Sequence, residues 1–476
     1  MSELENKLQT YFPKMVVYKG EGGSSFSSCN IPNYIKDWFL MRYADKNGKI
    51  DPAFLSDKLF SIVPRKSEWI HLFEKMMNDN EEIKFLTKIK IKLSISTNEI
   101  TFALPDLDVD YKDTIIDKLD WDNIRGKVNI GDEEAWGIVT LKYVPYKKGF
   151  RIALINFSSF RPYQIKLDYY IENRKQFDID EWINVLLGAM NYNGENYETL
   201  DNKLSMLKRL LPFVEKRLNL IELAPKGTGK SYVYSQISKF GWLNSGGVMS
   251  RAKLFYDMHS KTVGLLGNYD YVALDEISTI RFTDIAEMQG SLKGYLESGT
   301  FAVGTKMNSS EAGMVFIGNI KSSNMNVAVN MFKDLPALFN DSALLDRIHG
   351  FVEGWKIPRM DESLKQHGWA LNTEYFSEVL HLLREETLYM GLVDSLIDNV
   401  GGDTRDITAV KRLTSGFMKL LFPHWRNVED VDLEQFKTYC LNPSIEMRNI
   451  IKSQLILMDE EYKSKPFPEF IIKETL

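Results

Sequence analysis

The most constraining feature of this chain is a glycine-rich octapeptide, APKGTGKS, at residues 224–231. An apolar run at residues 218–223 comes before it, and residues 232–240 have the character of a helix. A loop of this composition between a buried strand and a helix is typical of a phosphate-binding site, because backbone N–H groups of the loop and of the helix N-terminus surround the phosphates. The context therefore predicts an α/β fold that binds a nucleotide.

The residues of this loop have different expected roles. Lys230 is expected to reach the outer phosphates, and the hydroxyl of Ser231 is placed to bind Mg²⁺. Ala224 stands where the usual pattern has its first glycine, and alanine tolerates most loop conformations. By itself the loop indicates ATP or GTP. The predicted nucleotide-binding residues are Ala224, Pro225, Lys226, Gly227, Thr228, Gly229, Lys230 and Ser231.

Two later apolar strands end in polar residues that suit ATP hydrolysis. Residues 271–274 lead into Asp275 and Glu276. We predict that Asp275 lies beside the Mg²⁺ ion and that Glu276 polarises the attacking water. Residues 313–318 lead into Asn319, which we predict to be a sensor that orients this water. The alternatives are a strand that ends in surface acids and an asparagine that only turns the chain.

Two arginines are candidates for contact with the γ-phosphate. Arg347, in the segment LLDRI, is predicted to be an arginine finger, which ring ATPases supply from the neighbouring subunit. Arg405 lies at the start of a later predicted helix and is predicted to be a sensor on a helical lid. The alternatives are a surface Asp–Arg pair for the first and a solvated helix-start charge for the second.

Composition limits the class of protein. A chain of 476 residues is too long for one core, so two or three domains are expected. The net charge of −6 gives no global argument for a polyanionic partner, and any nucleic-acid surface must be local. Cys29 and Cys440, with no signal peptide, indicate a reduced, cytosolic protein, and no apolar run is long enough to cross a membrane. The six histidines lack the spacing of a zinc site.

Changes in periodicity divide the chain into four predicted regions. We predict a helical N-terminal region at residues 1–83 and a small β domain at residues 84–165. An ATPase core with leading helices follows at residues 166–358, and a helical lid with a tail occupies residues 359–476. Within the last region, residues 392–400 are predicted to be helical. The tail at residues 463–476, which contains two prolines, is predicted to be irregular.

The β domain is predicted from strict alternation. Residues 89–95 alternate between apolar and polar side chains, as a half-buried strand does. Further short strands are predicted at residues 100–104, 126–130, 135–143 and 150–155. Several short strands with turns between them favour a small β-barrel, and we prefer an OB-like arrangement. Such barrels often bind nucleic acid, but the fold alone does not establish that function.

In this order the motifs resemble those of AAA+ ATPases, and more closely those of the BrxL family, the Lon-like ATPases of BREX phage-defence systems. The similar segments are residues 177–182, 209–215, 223–231, 245–247, 273–276, 314–319, 340–349 and 404–410. The resemblance implies an α/β AAA+ core with a P-loop and a helical lid, and ATP with Mg²⁺ as ligands. It also implies a homo-oligomer, a hexameric ring, with the nucleotide between subunits.

Longer BrxL proteins carry a Lon-protease-like domain beyond the lid. This sequence ends at Leu476, soon after the helices that resemble the lid. We therefore expect a short form of the family without proteolytic activity.

The BrxL family also resembles minichromosome-maintenance helicases, in which a hairpin projects into the ring channel and touches DNA. Here residues 296–303 lead into the corresponding predicted hairpin. Lys306 lies near its predicted tip and Lys293 lies on the preceding segment, so both are candidate DNA contacts. The alternative for Lys306 is an ordinary solvated turn lysine. A ring needs only a few such lysines per subunit, because symmetry multiplies them.

The expected function is that of an ATP-dependent motor or clamp that encircles double-stranded DNA in antiviral defence. Whether its rings stack is left open. Other defence proteins are expected as further partners, and no membrane contact is expected. A protein-remodelling unfoldase is an alternative, because Phe301 suits an aromatic pore loop whereas Lys306 suits DNA. A nucleotide-gated scaffold, in which assembly itself is the signal, is the third possibility.

Overall fold

The apolar strands around the glycine-rich loop form one parallel sheet of five strands. Their order across the sheet is Gly350–Glu353, Leu220–Ala224, Gly313–Asn319, Tyr271–Asp275 and Gly241–Ser245. Strands that helices cover on both faces read as continuous apolar runs, which explains why the sequence shows them so clearly. Because all five strands run in one direction, their carboxyl ends meet at one edge of the sheet, where ligands bind in folds of this kind.

The computed structural model describes residues 2–20, 26, 31–45, 47–94, 99–124, 131–147, 149–160, 164–258, 262–304 and 306–473. The predicted strand at residues 126–130 and Cys29 lie outside these ranges. Cys440 is buried and has a free thiol.

The predicted β domain contains a second sheet of five strands. Their order is Glu99–Ala103, Ile83–Ser94, Gly131–Tyr146, Gly149–Ser159 and Thr114–Ile115. Neighbouring strands are antiparallel except for the last pair, which is parallel. A bridge joins Ile100, on the first strand of this order, to Ile116, directly after the last strand, and the hydroxyl of Thr114 donates to the Phe102 carbonyl. The helix Lys118–Ile124 follows the shortest strand.

The N-terminal region is helical, as predicted, but its first residues pack against the C-terminal half of the chain. Its helices are Glu3–Tyr11, Asn33–Tyr43, Pro52–Ile62 and Trp69–Asn78. The strand Val16–Lys19 pairs with Gly368–Leu371. Phe12 is buried in the same apolar cluster as Trp182 and Tyr375. The proposed boundary at residue 83 stays a prediction, and it does not describe how the first residues pack.

Helices cover both faces of the central sheet. Before and within the sheet they are Leu167–Arg174, Ile179–Ala189, Leu200–Leu207, Leu211–Val214, Lys230–Gln236, Arg251–Leu254, Ile285–Ser298 and Ser342–Leu345. After it they are Thr373–Glu385, Leu388–Leu396, Thr404–Leu421, Leu433–Phe436 and Asn442–Met458. Over the residues described, the search for a helix with the length and apolar character of a membrane span finds none.

The C-terminal tail corrects two predictions. The helix Leu388–Leu396 ends earlier than predicted, and Ile397–Val400 is a strand instead. It pairs with Glu469–Ile472, so part of the tail that was predicted to be irregular is also a strand. The two prolines, Pro466 and Pro468, lie before this strand and leave its N–H groups available. Local sequence patterns did not predict this pair of strands, because each short strand is stabilised by a partner about seventy residues away.

Three small two-stranded units lie at the periphery of the core. Val248–Met249 pairs in parallel with Arg281–Phe282. The antiparallel hairpins are Tyr256–Asp257 with Thr262–Val263, and Thr300–Val303 with Lys306–Ser309. We call the last pair the tip hairpin. It follows the helix Ile285–Ser298 after a single residue, Gly299.

Candidate nucleotide-hydrolysis site

The glycine-rich loop lies at the carboxyl edge of the central sheet, and two of its glycines have backbone angles that favour glycine. The φ angle is +85° at Gly227 and +73° at Gly229. A Cβ atom at Gly229 would also lie 2.4 Å from the hydroxyl oxygen of Tyr192. Gly229 is therefore required by both conformation and space, whereas Gly227 opens onto free space and is required by its conformation alone.

The side chains that the sequence predicted for phosphate and metal binding contact one another. Lys230 Nζ donates to Asn319 Oδ1 at 2.9 Å, and Ser231 Oγ donates to Asp275 Oδ2. Burial lowers the pKa of Lys230, and the nearby charges of Glu222 and Asp275 oppose this shift. A bound phosphate would add a further anion that favours the ammonium form. The hydroxyl and carboxylate oxygens of Ser231 and Asp275 fit a Mg²⁺ ion, which prefers oxygen ligands.

Glu276 follows the buried strand in a conformation that few non-glycine residues adopt. Its φ angle is +51°, in the left-handed region. Its backbone N–H donates to Asp275 Oδ1 at 2.8 Å, and its carbonyl accepts from the N–H of Thr279 at 2.7 Å. The sharp turn leaves the side chain exposed, and a Cβ atom at Gly246 would lie 3.7 Å from its carboxylate. Strained backbone of this kind is concentrated at functional sites.

A buried ion pair that the sequence patterns did not predict contacts the glycine-rich loop. Arg209 and Glu222 are both fully buried, and Arg209 Nη2 contacts Glu222 Oε1 at 2.5 Å. Arg209 Nη1 also donates to the Thr228 carbonyl of the loop at 2.8 Å. One guanidinium thus joins the strand before the loop to the loop itself. Glu222 within the apolar strand Leu220–Ala224 could have indicated this pair, because a buried carboxylate needs a cationic partner.

Alanine fits at position 224 because Gly354, directly after the neighbouring strand Gly350–Glu353, has no side chain. A Cβ atom at Gly354 would lie 2.2 Å from Ala224 Cβ. The methyl group of Ala224 therefore occupies the space that Gly354 leaves free. The N–H of Met360 donates to the Gly227 carbonyl at 2.8 Å, so the same downstream segment also contacts the loop. The alanine at this position therefore fits because residue 354 is a glycine.

The two predicted arginines lie together, at a site separate from the glycine-rich loop. Arg347 Nε lies 2.8 Å from Glu297 Oε2, and Arg405 Nη2 lies 3.0 Å from the same oxygen. Arg405 Nη1 also contacts Asp346 Oδ2 at 2.9 Å. We call Glu297, Asp346, Arg347 and Arg405 the arginine cluster. It borders a cavity of about 380 Å³. Among the described residues, the side-chain ion-pair partners of both arginines belong to this cluster.

A buried ionic network holds the base of the arginine cluster. Arg448 Nη2 lies 2.7 Å from both Asp346 Oδ1 and Asp406 Oδ1, and Lys452 Nζ lies 2.9 Å from Asp406 Oδ2. Burial disfavours the charged form of Asp346, but the charge of Arg448 and hydrogen bonds from Arg405 and Arg448 outweigh it and lower its pKa. The network joins the segment before Gly350–Glu353 to the two long C-terminal helices. The backbones that carry both arginines are therefore fixed.

The two candidate DNA contacts, Lys306 and Lys293, differ in the exposure and ion pairing of their side chains. Lys306 is exposed and begins the second arm of the tip hairpin, opposite Val303. Lys293 Nζ instead contacts Asp341 Oδ2 at 2.8 Å, so its charge is already paired within the chain. Both assignments as DNA contacts stay predictions.

Phe301 does not have the position that an aromatic pore loop needs. It is 5% exposed, and its ring centroid lies 5.2 Å from that of Phe255 in the core. Among the described residues of the tip hairpin, the large apolar side chain that is exposed is that of Met307, at 66%. A Cβ atom at Gly304 would lie 3.5 Å from Met258 Cε, so the hairpin Tyr256–Asp257 with Thr262–Val263 lies beside the tip hairpin. This second hairpin could not be predicted from the sequence, because strands of two residues are too short to show an alternating pattern.

Comparison with known proteins agrees with this geometry. Residues 152–468 match the family model described as Lon-like protease BrxL-like, ATPase domain, and residues 10–143 match that of the N-terminal region of BREX system Lon protease-like protein BrxL. The chain belongs to the BrxL family. The match to a Lon-like ATPase domain gives the core an AAA+ α/β fold, with which its parallel sheet agrees.

Two curated relatives, both named Lon-like protease BrxL, cover nearly the whole chain. The protein from Escherichia coli O9:H4 (strain HS) is 28% identical over 467 residues, which are 95% of this chain and 65% of the relative. The protein from Bacillus cereus (strain H3081.97) is 30% identical over 459 residues, which are 93% of this chain and 65% of the relative. This BrxL-family chain therefore spans 65% of the length of each relative that it matches.

The contact between Arg209 and the glycine-rich loop predicts a specific effect on ATP binding. In Arg209→Lys, Glu222 keeps a cationic partner, but a single nitrogen replaces the two, Nη2 and Nη1, that now reach the carboxylate and the Thr228 carbonyl, so we expect the second contact to be lost. We expect ATP affinity to fall roughly five- to tenfold, the value of about one hydrogen bond. Isothermal titration calorimetry measures this change.

Two further variants separate positioning from folding. Arg209→Met leaves a buried carboxylate unpaired, and we expect it to lose about 3–5 kcal/mol of unfolding free energy. Arg426→Lys, at a half-exposed pair with Glu386, is the matched control and should bind ATP normally. If Arg209→Lys binds ATP like the wild type, Arg209 only stabilises the core.

Proposed function

We propose that this BrxL-family chain is an ATP-hydrolysing AAA+ protein whose rings encircle double-stranded DNA in BREX antiphage defence, in the cytoplasm. One observation carries the proposal. The residues for binding and hydrolysing ATP converge at one edge of the central sheet, whereas both arginines lie in a separate cluster. An active site divided in this way is completed when a second copy of the chain brings its arginine cluster to the loop. A homo-oligomeric ring, hexameric in our proposal, provides that arrangement at every interface.

The chain's own residues suit the steps of phosphoryl transfer. Lys230 would exchange its bond to Asn319 for the outer phosphates. Glu276 would accept hydrogen bonds from the attacking water and polarise it, and Asn319 would orient that water. When bound, Mg²⁺ would neutralise phosphate charge, and Ser231 and Asp275 offer the oxygens that would hold it.

We propose that both Arg347 and Arg405 act on the nucleotide of the neighbouring subunit. The support is that they share Glu297 as a partner, so a phosphate that reaches one guanidinium lies within reach of both. Arginine suits this role because its planar, permanently charged group binds phosphate oxygens in pairs. Arg405 is therefore proposed as a sensor that acts between subunits.

DNA binding is supported by two surfaces. We propose that the β domain is an OB-like barrel, because its strand order, its single parallel pair and the bridge between its outer strands suit a closed five-stranded barrel. On one strand, Lys88 lies 5.7 Å from the Trp136 ring and Lys92 lies 5.5 Å from the Tyr111 ring. Lys88 also contacts Asp106 at 3.4 Å, so the exposed Lys92 has the more available charge of the two. Lysines beside aromatic rings suit a nucleic-acid backbone and its bases. Lys306 on the tip hairpin is the second surface.

A protein-remodelling function has one observation in its favour. Met258 and Met307, on the two neighbouring hairpins, are 56% and 66% exposed. Exposed methionines adapt to varied apolar partners, as an unfolded polypeptide requires. The burial of Phe301 weakens this alternative, because the aromatic side chain that it relied on does not reach the surface.

The hydrolytic role of Glu276 is tested by Glu276→Gln. The amide keeps the shape of the side chain but removes its charge, so we expect ATP binding near the wild-type affinity. We expect kcat to fall at least about a hundredfold, since the water loses its polarising group. Glu172→Gln, at an exposed pair with Lys175, is the control for a surface carboxylate. Undiminished ATP hydrolysis by Glu276→Gln would remove this residue from the mechanism.

The shared active site is tested by mixing inactive subunits. Lys230→Ala and Arg347→Ala should each be inactive alone, but mixed rings should regain activity at about one site in four, where an intact loop meets an intact arginine. A mixture of Lys230→Ala with Glu276→Gln is the matched control and should stay inactive, because both changes affect the same half of the site. A silent first mixture that still forms rings would contradict sharing between subunits.

DNA binding by the tip hairpin is tested with Lys306→Ala and duplex DNA over a range of salt concentrations. We expect weaker binding and a salt dependence whose logarithmic slope is smaller by about 0.9 for each lost phosphate contact. Lys463→Ala, on the exposed C-terminal segment, is the control. If the wild-type protein does not bind duplex DNA at low salt, the protein-remodelling alternative is favoured.

A further inference from the structure

We propose that Glu297 couples the nucleotide of the neighbouring subunit to the position of the tip hairpin. In this view Glu297 holds Arg347 and Arg405 until the γ-phosphate of the neighbour's ATP takes its place. The helix end that carries Glu297 is then released, and the hairpin attached to it moves. The inference rests on the proposed function, in that both arginines act on a nucleotide across the interface.

Glu297 has the properties of a partner that can be displaced. A single oxygen, Oε2, contacts both guanidiniums, at 2.8 Å from Arg347 Nε and 3.0 Å from Arg405 Nη2. The carboxylate is nevertheless 44% exposed, and ion pairs at such positions are weak because water competes with them. A phosphate group has more charge and more acceptor oxygens than a carboxylate, so it competes well for two adjacent arginines.

Asp346, the other carboxylate of the arginine cluster, cannot be displaced in the same way. It is 4% exposed and contacts the buried Arg448 at 2.7 Å as well as Arg405 at 2.9 Å. Removing it from Arg448 would leave a buried charge without a partner. A phosphate that approaches the cluster therefore replaces Glu297 and leaves Asp346 in position.

The helix that carries Glu297 is tied to the arginine-bearing segment at two points. Lys293 and Glu297 are four residues apart and so lie on one face of the helix Ile285–Ser298. Lys293 contacts Asp341, which caps the short helix just before Arg347. When Glu297 is released, the Lys293–Asp341 pair still holds the helix and can act as a pivot. This gives Lys293 a role within the chain, in place of a DNA contact.

The end of this helix is joined closely to the tip hairpin. Only Gly299, with a φ angle of +73°, separates the helix from the first arm. Its carbonyl accepts from the N–H of Ser310, directly after the second arm, at 2.8 Å. Both arms therefore start from the helix end, and a shift of that end moves Lys306 with it. Arg217 Nη1 donates to the Ser298 carbonyl at 2.6 Å and ties this end to the segment before the strand Leu220–Ala224, so the shift must carry Arg217 along or break this bond.

The consequence is reciprocal. If ATP in one subunit changes the DNA affinity of the next subunit's hairpin, then DNA bound to that hairpin must change the affinity for ATP by the same factor. The hydrolysis rate at ATP concentrations below saturation reports this change in affinity. Glu297 would thus be a positioning residue that makes ATP hydrolysis respond to DNA, although it touches neither ligand.

Glu297→Gln tests this coupling in the full chain. The ATPase rate is measured with and without duplex DNA, for the wild type, for Glu297→Gln and for the control Glu172→Gln. We expect the wild type and the control to be stimulated by DNA. In Glu297→Gln the charge that Arg347 and Arg405 share is removed, although Arg405 keeps its contact with Asp346, so the DNA-free rate should rise to the DNA-bound rate and the stimulation should disappear.

Two additional measurements separate coupling from folding. Glu297→Asp keeps the charge but is one methylene shorter, so it should reach only one guanidinium and restore part of the DNA stimulation. The melting temperature of Glu297→Gln should change by no more than about 4 °C, because an exposed pair contributes little to stability.

The outcomes distinguish the inference from the proposed function. If the wild type responds to DNA and Glu297→Gln responds equally, the inference is wrong and the proposed function stands. If the wild type hydrolyses ATP without any response to DNA, the inference is wrong, while the proposed function, which requires ATP hydrolysis and DNA binding but no stimulation, stands. Loss of stimulation in Glu297→Gln with partial recovery in Glu297→Asp supports the coupling.

Discussion

The parallel register of the central sheet is the constraint on which the hydrolytic site depends. Asn319 pairs with Ala224 on the next strand, and Leu274 pairs with Phe316, so Lys230, Asp275 and Asn319 reach one edge together. Since side chains alternate along a strand, a shift of one residue would turn Asp275 or Asn319 to the opposite face. The buried Arg209–Glu222 pair adds a second restraint, because it joins the strand before the loop to the loop carbonyl at Thr228.

Charges in this chain are used in two ways that differ in burial. The pair Arg209–Glu222 and the network of Asp346, Asp406, Arg448 and Lys452 are almost completely buried. Removing one member of such a group is costly, so these pairs fix the backbone. Glu297 is half-exposed and binds two arginines at once, which leaves them available to another anion. The same residue types therefore fix the backbone where they are buried and form an exchangeable contact where they are exposed.

The N-terminal residues connect regions that the sequence presents as separate. The strand Val16–Lys19 pairs with Gly368–Leu371, and Lys19 Nζ lies 3.2 Å from Asp37 in a buried position. Lys19 also donates to the hydroxyl of Thr373, at the start of a C-terminal helix. The first helices, the C-terminal helices and the ATPase core thus share one buried interface. A movement of the ATPase core would therefore displace the N-terminal residues that make these contacts.

By itself, the sequence determined the parts whose signals are local. The loop at residues 224–231, the buried strands that end at Asp275 and Asn319, and the family follow from short motifs and apolar runs. Only the tertiary structure decided the rest. Arg209 and Glu222 are thirteen residues apart, while Glu297 meets Arg347 and Arg405 across fifty and more. The short paired strands at Ile397–Val400 and Glu469–Ile472 are of the same kind. The physical reason is that ion pairs and strand pairs are formed between distant segments. Their energy depends on burial and register, and neither quantity exists until the chain has folded.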